Sequence, residues 1–359
     1  MKEFKIAVIP GDGIGQDVMI EGLKVLNKFA QLRGDIKFTY DHFPWSCEYY
    51  LEHGYMMPEN GLEILKGYDA ILLGAVGFPN VPDHVSLHGL LLKIRQGFNQ
   101  YINLRPVKLL PGAPCPLKDK TPEDIDFVVI RENVEGEYSN VGGIRYEGRP
   151  EEVAIQTGVF TRKNTEKVMR YAYELCKKRN KMNKLTSVTK SNALNYSMVF
   201  WDKIFNEIAA EYPGIETESS HVDAVSMYFV QVPENYDVLV ASNLFGDIIT
   251  DLGAALQGGL GFAGSANLNP EREFPSMFEP VHGSAPKFAG KNIANPFAMV
   301  WTAKMMLDHL LGEGEAEEIV DAIGALLVEK KTLTKDMGGT AGTTEVGDAL
   351  CAKLEELMK

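Results

Sequence analysis

Residues 237–251 read DVLVASNLFGDIITD and combine a short apolar run with the beginning of a helix. The run 237–241 is typical of a strand that is buried on both faces. If the following residues form a helix, Asp247 and Asp251 lie four positions apart, side by side on one face. These like charges repel, and a divalent cation would turn the repulsion into a site, because Mg²⁺ and Mn²⁺ prefer carboxylate oxygens. The alternative is a helix face exposed to solvent.

Alternation of strand and helix continues along the whole chain and indicates the α/β class. Buried strands are predicted at residues 6–9, 69–74, 125–130 and 185–189, and helices at 87–98, 164–178, 196–211 and 296–311. A weaker alternating pattern at 152–161 predicts a strand of an exposed arm. A length of 359 residues favours two domains.

The turn Gly11-Asp-Gly-Ile-Gly15 follows the first predicted strand and precedes a helical pattern. This order suggests a dinucleotide-binding fingerprint, but the third glycine of that fingerprint falls on Gln16. The spacing therefore argues against an ordinary Rossmann domain. The turn still lies at the carboxyl end of a strand, where ligands bind in α/β sheets.

Composition excludes several classes of partner. The formal charge of −13 argues against nucleic acid or an anionic membrane surface. The four cysteines show no metal-ligand spacing, which is typical of free thiols in a reducing compartment. There is no signal-like N-terminus and no apolar segment approaching the ~18 residues of a membrane span. We expect a cytoplasmic protein.

Three arginines are candidates for binding a small poly-acid. Arg95, Arg105 and Arg131 each lie next to a predicted strand or helix end. The guanidinium group suits bidentate binding of carboxylates. Taken singly, each of these arginines is more typical of a surface ion pair.

Two further residues could transfer protons, and one could add a ligand. Tyr138 and Lys190 follow consecutive predicted strands, although a packed tyrosine and a solvated lysine are the simpler interpretation. Asp223 is a third carboxylate near a predicted helix start, where a capping role would explain it equally well.

Six motifs then occur in a characteristic order: Gly11-Asp-Gly-Ile-Gly, Asn103-Leu-Arg-Pro, Arg131-Glu-Asn-Val-Glu-Gly-Glu-Tyr, Thr189-Lys-Ser-Asn, Asn243-Leu-Phe-Gly-Asp-Ile-Ile-Thr-Asp and Glu279-Pro-Val-His-Gly-Ser-Ala-Pro. With these motifs the chain resembles, over essentially its whole length, the isocitrate/isopropylmalate dehydrogenase family of metal-dependent, β-decarboxylating dehydrogenases. Four further segments resemble the branch that acts on tartrate and D-malate: Ser46-Cys-Glu-Tyr-Tyr, His53-Gly-Tyr-Met-Met-Pro, Val81-Pro-Asp-His and Ser265-Ala-Asn-Leu-Asn-Pro-Glu-Arg.

The resemblance implies a two-domain, isopropylmalate dehydrogenase-like α/β fold with a cleft between the domains, distinct from an ordinary Rossmann domain. A discontinuous domain of residues 1–105 and 256–359 would bind the cofactor. A central domain of residues 106–255 would carry the metal ligands and the interface of a homodimer.

The resemblance also assigns roles to the candidate residues. Substrate contacts are implied for Arg95, Arg105, Arg131 and Asp223. Ligands to Mg²⁺ or Mn²⁺ are implied at Asp223, Asp247 and Asp251, with Asp223 contributed across the dimer. Lys190, also from the neighbouring subunit, would take part in deprotonating the substrate hydroxyl. Tyr138 would supply a proton to the enol carbon.

Cofactor contacts are implied for the loop 282–295, at His282, Gly283, Ser284, Ala285, Lys287 and Asn295. Members that use NAD usually carry an aspartate at the position of Lys287, and a cation there would favour the 2′-phosphate of NADP. Lys335 could add to that charge. The arginine found further along in NADP enzymes is replaced by Gly339, and we expect NAD ahead of NADP.

The implied function is oxidative decarboxylation of a small 2-hydroxy diacid, D-malate to pyruvate and CO₂ or tartrate, with hydride transfer to NAD(P). His88 stands where isopropylmalate enzymes carry a glutamate and D-malate enzymes often a tryptophan. The lack of that glutamate favours a small polar substrate over isopropylmalate. The alternatives are a 3-isopropylmalate or isocitrate dehydrogenase and a non-catalytic regulatory subunit. The last is disfavoured because Tyr138, Lys190 and the three aspartates are all present.

Overall fold

A computed structural model describes the whole chain, Met1–Lys359. Its strands are β1 (Lys2–Gly11), β2 (Ile36–His42), β3 (Ala70–Ala75), β4 (Ile102–Lys108), β5 (Asp126–Glu132), β6 (Gly136–Arg145), β7 (Val153–Val159), β8 (Lys184–Thr189), β9 (Glu216–His221), β10 (Val238–Ala241), β11 (Gly264–Leu268) and β12 (Ser276–Pro280). Its α-helices are α1 (Ile14–Arg33), α2 (Cys47–His53), α3 (Gly61–Leu65), α4 (Asp83–Ser86), α5 (Leu92–Gly97), α6 (Arg162–Arg179), α7 (Ser197–Ala209), α8 (Val222–Gln231), α9 (Asn243–Leu256), α10 (Phe297–Leu311), α11 (Glu317–Glu329) and α12 (Thr343–Leu357). The predicted α/β class is confirmed.

The chain divides into two compact units. The first unit comprises Met1–Gln100, Lys108–Pro122 and Ala254–Lys359, and the second comprises Tyr101–Val107 and Glu123–Gly253. The boundaries expected from the sequence were 1–105 with 256–359 and 106–255. In the structure, residues 101–105 belong to the second unit and Lys108–Pro122 belongs to the first. β4 is a neighbour of β5 in the sheet of the second unit. The Pro-rich segment after it returns to the first unit, where the backbone of Lys108 donates to Gln257 Oε1 at 2.9 Å.

The first unit is built on strands in the order β2-β1-β3-β12-β11. β1 pairs in parallel with β2 and β3, and β3 with β12, whereas β11 and β12 are antiparallel. β3 is buried along its entire length, as expected of an unbroken apolar run in a parallel sheet. Helix α10 is buried from Phe297 to Leu307, because its apolar residues surround the helix rather than forming one stripe.

The second unit has strands in the order β4-β5-β10-β8-β9. The pairs β5–β10, β10–β8 and β8–β9 are parallel, so several carboxyl ends share one edge. β6 and β7 form a separate antiparallel pair with mostly exposed side chains. The exposed strand predicted at 152–161 is therefore confirmed as β7.

Two sequence expectations need correction. The helix predicted at 87–98 begins earlier, at Asp83, and its residues Leu87–Leu91 form a π-helical turn between α4 and α5. Strand β9 was not expected, since its sequence ETESSH is polar and mostly exposed. It is an edge strand, so its backbone pairs with β8 while its side chains bury little apolar surface. None of the helices has both the length and the apolar character needed to cross a membrane.

Candidate active site

An acid–arginine cluster lies around helix α9 of the second unit, which follows the buried strand β10. The Asp247 carboxylate accepts hydrogen bonds from Arg131 Nη1 at 2.5 Å and from the Tyr138 hydroxyl at 2.7 Å. Arg105 Nη1 lies 3.3 Å from the same carboxylate. Two guanidinium groups and a phenol therefore surround one partly exposed acid, and the cluster carries a net positive charge before Asp251 is counted.

Asp251 lies one helical turn after Asp247, as the spacing predicts. Asp251 is exposed, but the neighbouring protein atoms still remove part of the water from around its carboxylate. Desolvation raises the pKa of the Asp251 carboxyl, and the charge of Asp247 adds to this rise, while Arg105 and Arg131 oppose it. A second carboxylate is thus held near a first at a cost that a bound cation would relieve.

Arg131 is almost fully buried at the end of β5 and is oriented by a neutral partner. Its Nε and Nη2 donate to Asn243 Oδ1 at 3.0 and 2.7 Å. Gly246 lets the stem of Arg131 lie against α9, because a Cβ there would come within 2.6 Å of the arginine Cγ. Asn243 in turn donates to the carbonyl of Glu135 at 3.1 Å. The amide fixes the guanidinium plane without neutralising its charge.

Arg105 on β4 is held in a similar way. Its Nε donates to Asn103 Oδ1 at 2.5 Å, and its Nη1 donates to Thr250 Oγ1 at 2.6 Å. The Thr250 hydroxyl donates to the backbone of α9, at Gly246. Neutral oxygens therefore orient a second buried guanidinium, which suits binding of an anion.

Arg95 belongs to the first unit and has a charged partner. Its Nη2 donates to Glu279 Oε1 at 2.7 Å, and Asn267 Nδ2 donates to the same oxygen at 2.8 Å. Arg95 is buried, and its Nε has no hydrogen-bond partner in the structure. One guanidinium edge is committed to Glu279, and the buried Nε remains a donor that a carboxylate could use.

Lys190 and Asp223 form a pair of their own at the carboxyl end of β8 and the first turn of α8. The distance from Lys190 Nζ to Asp223 Oδ1 is 2.8 Å. The hydrogen bond from Lys190 lowers the pKa of the Asp223 carboxyl. The chain brings no three acidic, histidine or cysteine side chains together in a group able to hold a metal ion. Asp247 and Asp251 therefore have no third side chain of these types beside them within one chain.

The loop 282–295 of the first unit carries the residues expected to bind cofactor. Desolvation lowers the pKa of His282, whose Nδ1 lies 3.0 Å from the carbonyl of Gly283. The His282 Nε2 is buried and has no hydrogen-bond partner.

The rest of the loop turns sharply at Ala285, which adopts a left-handed conformation with φ +37°, and Lys287 is exposed. Asn295 Nδ2 donates to Asp336 Oδ2 at 3.1 Å. A buried donor or acceptor without a partner, beside a sharply turned backbone, fits a nucleotide-binding loop.

Sequence reasoning missed the residues that orient the arginines: Asn243, Thr250, Asn103, Glu279 and Asn267. One signal was present, since Asn243 precedes Asp247 by four positions and must share its helix face. The pairing of Arg95 with Glu279 joins residues 184 positions apart and had no such signal.

Comparison with known proteins identifies the class. A family model described as isocitrate/isopropylmalate dehydrogenase matches residues 5–350. The chain belongs to this family, and the expected class of decarboxylating dehydrogenase acting on a CH–OH group is confirmed. Enzymes of the family use a nicotinamide cofactor and a divalent metal ion.

Individual relatives narrow the likeness. A protein of Bacillus subtilis (strain 168) described as "Probable tartrate dehydrogenase/decarboxylase" is 53% identical over 358 residues, 99% of each chain. The D-malate dehydrogenase [decarboxylating] of Escherichia coli (strain K12) is 52% identical over 359 residues, 98% of each chain. Among solved structures, the isocitrate dehydrogenase from Methylococcus capsulatus is 32% identical, with a TM-score of 0.87 over 98% of this chain and 99% of that one.

Proposed function

We propose that this protein oxidises and decarboxylates a small 2-hydroxy diacid, D-malate to pyruvate and CO₂ or tartrate, with NAD and a divalent metal ion. The observation that carries the proposal is the cluster in which Asp247 meets Arg105, Arg131 and Tyr138. The cluster would supply two arginines for anion binding, Asp247 as a metal ligand and Tyr138 as a proton donor. The names of the two relatives support the choice of substrate.

The metal ligands would be Asp247 and Asp251 of one subunit and Asp223 of a second copy. When bound, the ion would lower the pKa of the substrate hydroxyl and stabilise negative charge beside it, while the nicotinamide would accept the hydride. The carboxylate oxygens are the donors that Mg²⁺ and Mn²⁺ prefer. The raised pKa of Asp251 is in line with a site that needs a cation.

This ligand set would require a homodimer. Asp223 pairs with Lys190 at 2.8 Å and is absent from the Asp247–Asp251 group of its own chain. The apolar side chains of Met227 and Val230 on α8 and of Ile248 on α9 are exposed in the single chain. A second copy that covers these helices would bring its own Lys190 and Asp223 to the site.

The chain's own residues account for the proton movements. Arg105 and Arg131 would hold substrate carboxylates in the plane set by Asn103, Thr250 and Asn243. Lys190 would take the hydroxyl proton as the C2 hydrogen leaves with its electron pair. The bond between C3 and the β-carboxylate would then break. CO₂ would leave, and the electron pair of that bond would stay with C3. Tyr138 would return a proton to that carbon.

We propose NAD rather than NADP as the cofactor, and the surroundings of Lys287 support this choice. The Lys287 ammonium lies 4.8 Å from the ring centroid of Phe288, a position that engages it with a neighbouring side chain. The carboxylate of Asp336 binds Asn295 of the same loop, and its negative charge would oppose a ribose 2′-phosphate.

An assay of reduced nicotinamide over D-malate, tartrate, 3-isopropylmalate and isocitrate, with Mn²⁺ and with each nucleotide, tests the proposal. We expect the highest kcat/KM with D-malate or tartrate and NAD. Equal or better turnover of 3-isopropylmalate or isocitrate would overturn the substrate assignment. A Lys287→Ala variant tests the nucleotide assignment, because removal of a cation that attracts a 2′-phosphate should raise the KM for NADP more than the KM for NAD.

A further inference from the structure

The buried carboxylate of Asp12 lies outside the proposed chemistry and has an unusual set of partners. Asp12 is 1% exposed in the turn between β1 and α1. Its oxygens accept from the backbone N–H of Cys47, at 2.9 and 3.1 Å, and from the backbone N–H of Gly77, at 3.0 Å. Burial raises the pKa of the Cys47 thiol to about 12, with a further contribution from its hydrogen bond to Asp12. The thiol therefore remains a donor to the carboxylate.

The segment fixed by Asp12 is linked directly to the proposed cofactor loop. The hydroxyl of Ser284 donates to the carbonyl of Gly77 at 2.6 Å. The carbonyl of Ser284 accepts from the backbone N–H of Ile14 at 2.7 Å, on the other side of Asp12. Ser284 is therefore held from two directions, both of which lead back to the turn that contains Asp12.

The fit around this network has little room for adjustment. A Cβ on Gly13, which has φ +59°, would lie 2.0 Å from the carbonyl oxygen of Ser284. A Cβ on Gly77, which has φ +138°, would lie 3.2 Å from the Ser284 hydroxyl. Ala285, the next residue, holds the left-handed conformation that turns the loop. A shift of Gly77 would therefore pass to Ser284 and Ala285.

We propose that Asp12 is a positioning residue for cofactor binding, which holds Ser284 and Ala285 in place through the backbone of Gly77. This inference rests on the proposed role of loop 282–295 in binding NAD. The Asp12 carboxylate accepts hydrogen bonds from N–H and S–H donors of its own unit. It therefore stabilises the loop conformation and does not bind substrate or metal.

The test compares Asp12→Asn with Ser284→Ala and with their double variant. In Asp12→Asn the amide NH₂ can face the Gly77 N–H, and two donors cannot form a hydrogen bond. Because Gly77 would then shift, we expect the KM for NAD to rise about tenfold. Ser284→Ala breaks the far end of the same network and should act in the same direction. The double variant should show less than the product of the two single effects, because both remove one linkage.

A matched control distinguishes positioning from general destabilisation. Asp237 is also a fully buried acid, accepting from Arg179 Nε and from the backbone of Met182, both at 3.0 Å in the second unit. Asp237→Asn should lower the melting temperature yet leave the KM for NAD within about twofold of the wild type. The KM for D-malate should change little in Asp12→Asn.

Hydrogen exchange provides a readout that does not depend on the proposed activity. In Asp12→Asn the amides of Ile14 and Gly77 should exchange faster, and peptides covering residues 282–290 should follow. Unchanged exchange in those peptides, or multiplicative effects on the KM for NAD, would overturn the inference. A wild-type protein that binds no NAD would instead refute the proposed function, while the exchange data would still decide whether Asp12 positions the loop.

Discussion

Asp12 in the first unit and Asp247 in the second unit have similar sequence surroundings and opposite structural roles. Each follows a parallel strand and adjoins a glycine, at Gly11 and Gly246. Asp12 is buried, and backbone N–H groups satisfy its carboxylate. Asp247 is partly exposed, and its partners are two arginines and a tyrosine.

The difference shows how the partners of an acid indicate its use. Backbone N–H donors are fixed in place, so a carboxylate that they satisfy cannot exchange them for another partner. Such an acid stabilises the loops that supply the donors. Long charged side chains can exchange one anionic partner for another, and this property of the arginines around Asp247 supports the proposed binding of a substrate and a metal ion.

Removing the second carboxylate of α9 should abolish metal-dependent turnover. In Asp251→Asn the site would lose one anionic ligand, and we expect Mn²⁺ affinity to fall roughly 100-fold or more, with activity falling in parallel. Titration of free Mn²⁺ by electron paramagnetic resonance measures the affinity directly. Asp321→Asn, which changes an exposed acid on α11, should leave it unchanged. Unaltered Mn²⁺ binding in Asp251→Asn would remove Asp251 from the ligand set.

Tyr138→Phe tests whether the phenol beside Asp247 donates a proton or only packs. The ring would keep its place against Arg131, whose guanidinium lies 5.2 Å from the ring centroid. Loss of the proton donor should lower kcat by about 10²- to 10⁴-fold with a smaller change in KM for D-malate. Tyr40→Phe is the matched control, because the Tyr40 hydroxyl donates a hydrogen bond to Asn27, outside the proposed site. A wild-type kcat in Tyr138→Phe would contradict the proposed role.

Asn243→Ala would release the guanidinium of Arg131 from its neutral acceptor. Arg131 would then be free to turn further toward Asp247, so the KM for D-malate should rise about tenfold. Asn243→Asp should weaken substrate binding as well, because a second carboxylate would neutralise the arginine. Asn27→Ala, at an exposed asparagine, serves as the control. If both Asn243 variants kept the wild-type KM, orientation by this amide would be irrelevant to binding.

The pH dependence of stability should contain a contribution from His309, which lies outside the proposed site. Desolvation and the nearby Arg272 lower the pKa of His309 on α10 to about 4, below its ordinary value of 6.5. The folded protein therefore keeps His309 neutral where the unfolded chain binds a proton. Stability should fall as the pH drops from about 6.5 toward 4, at up to about 1.4 kcal/mol per pH unit from this group.

Urea denaturation of wild type and His309→Gln at several pH values measures this term. The variant should lose part of the pH dependence while its KM values for NAD and D-malate remain unchanged. An identical pH dependence in both proteins would show that His309 is not the responsible group.

The sequence was sufficient for the α/β class, for most strands and helices, and for placing Asp247 and Asp251 on one helix face. These features follow from local periodicity, which a single chain displays directly. Family resemblance added the expected partners of that helix, but only as a set of residues without their contacts.

What the sequence could not provide depends on contacts between distant segments. Asp12 and Asp247 could not be distinguished, because backbone N–H groups of Cys47 and Gly77 carry no signature in side-chain identity. The pairing of Arg95 with Glu279 and the membership of Tyr101–Val107 in the second unit likewise arise from tertiary packing. The polar edge strand β9 gave no apolar pattern at all.

Turnover of D-malate with NAD, measured with Mn²⁺ and again in excess EDTA, shows whether the reaction requires a metal ion. If Asp247 and Asp251 bind a metal ion that the reaction requires, EDTA should abolish formation of reduced nicotinamide, and added Mn²⁺ should restore it. Undiminished turnover in excess EDTA would contradict the account.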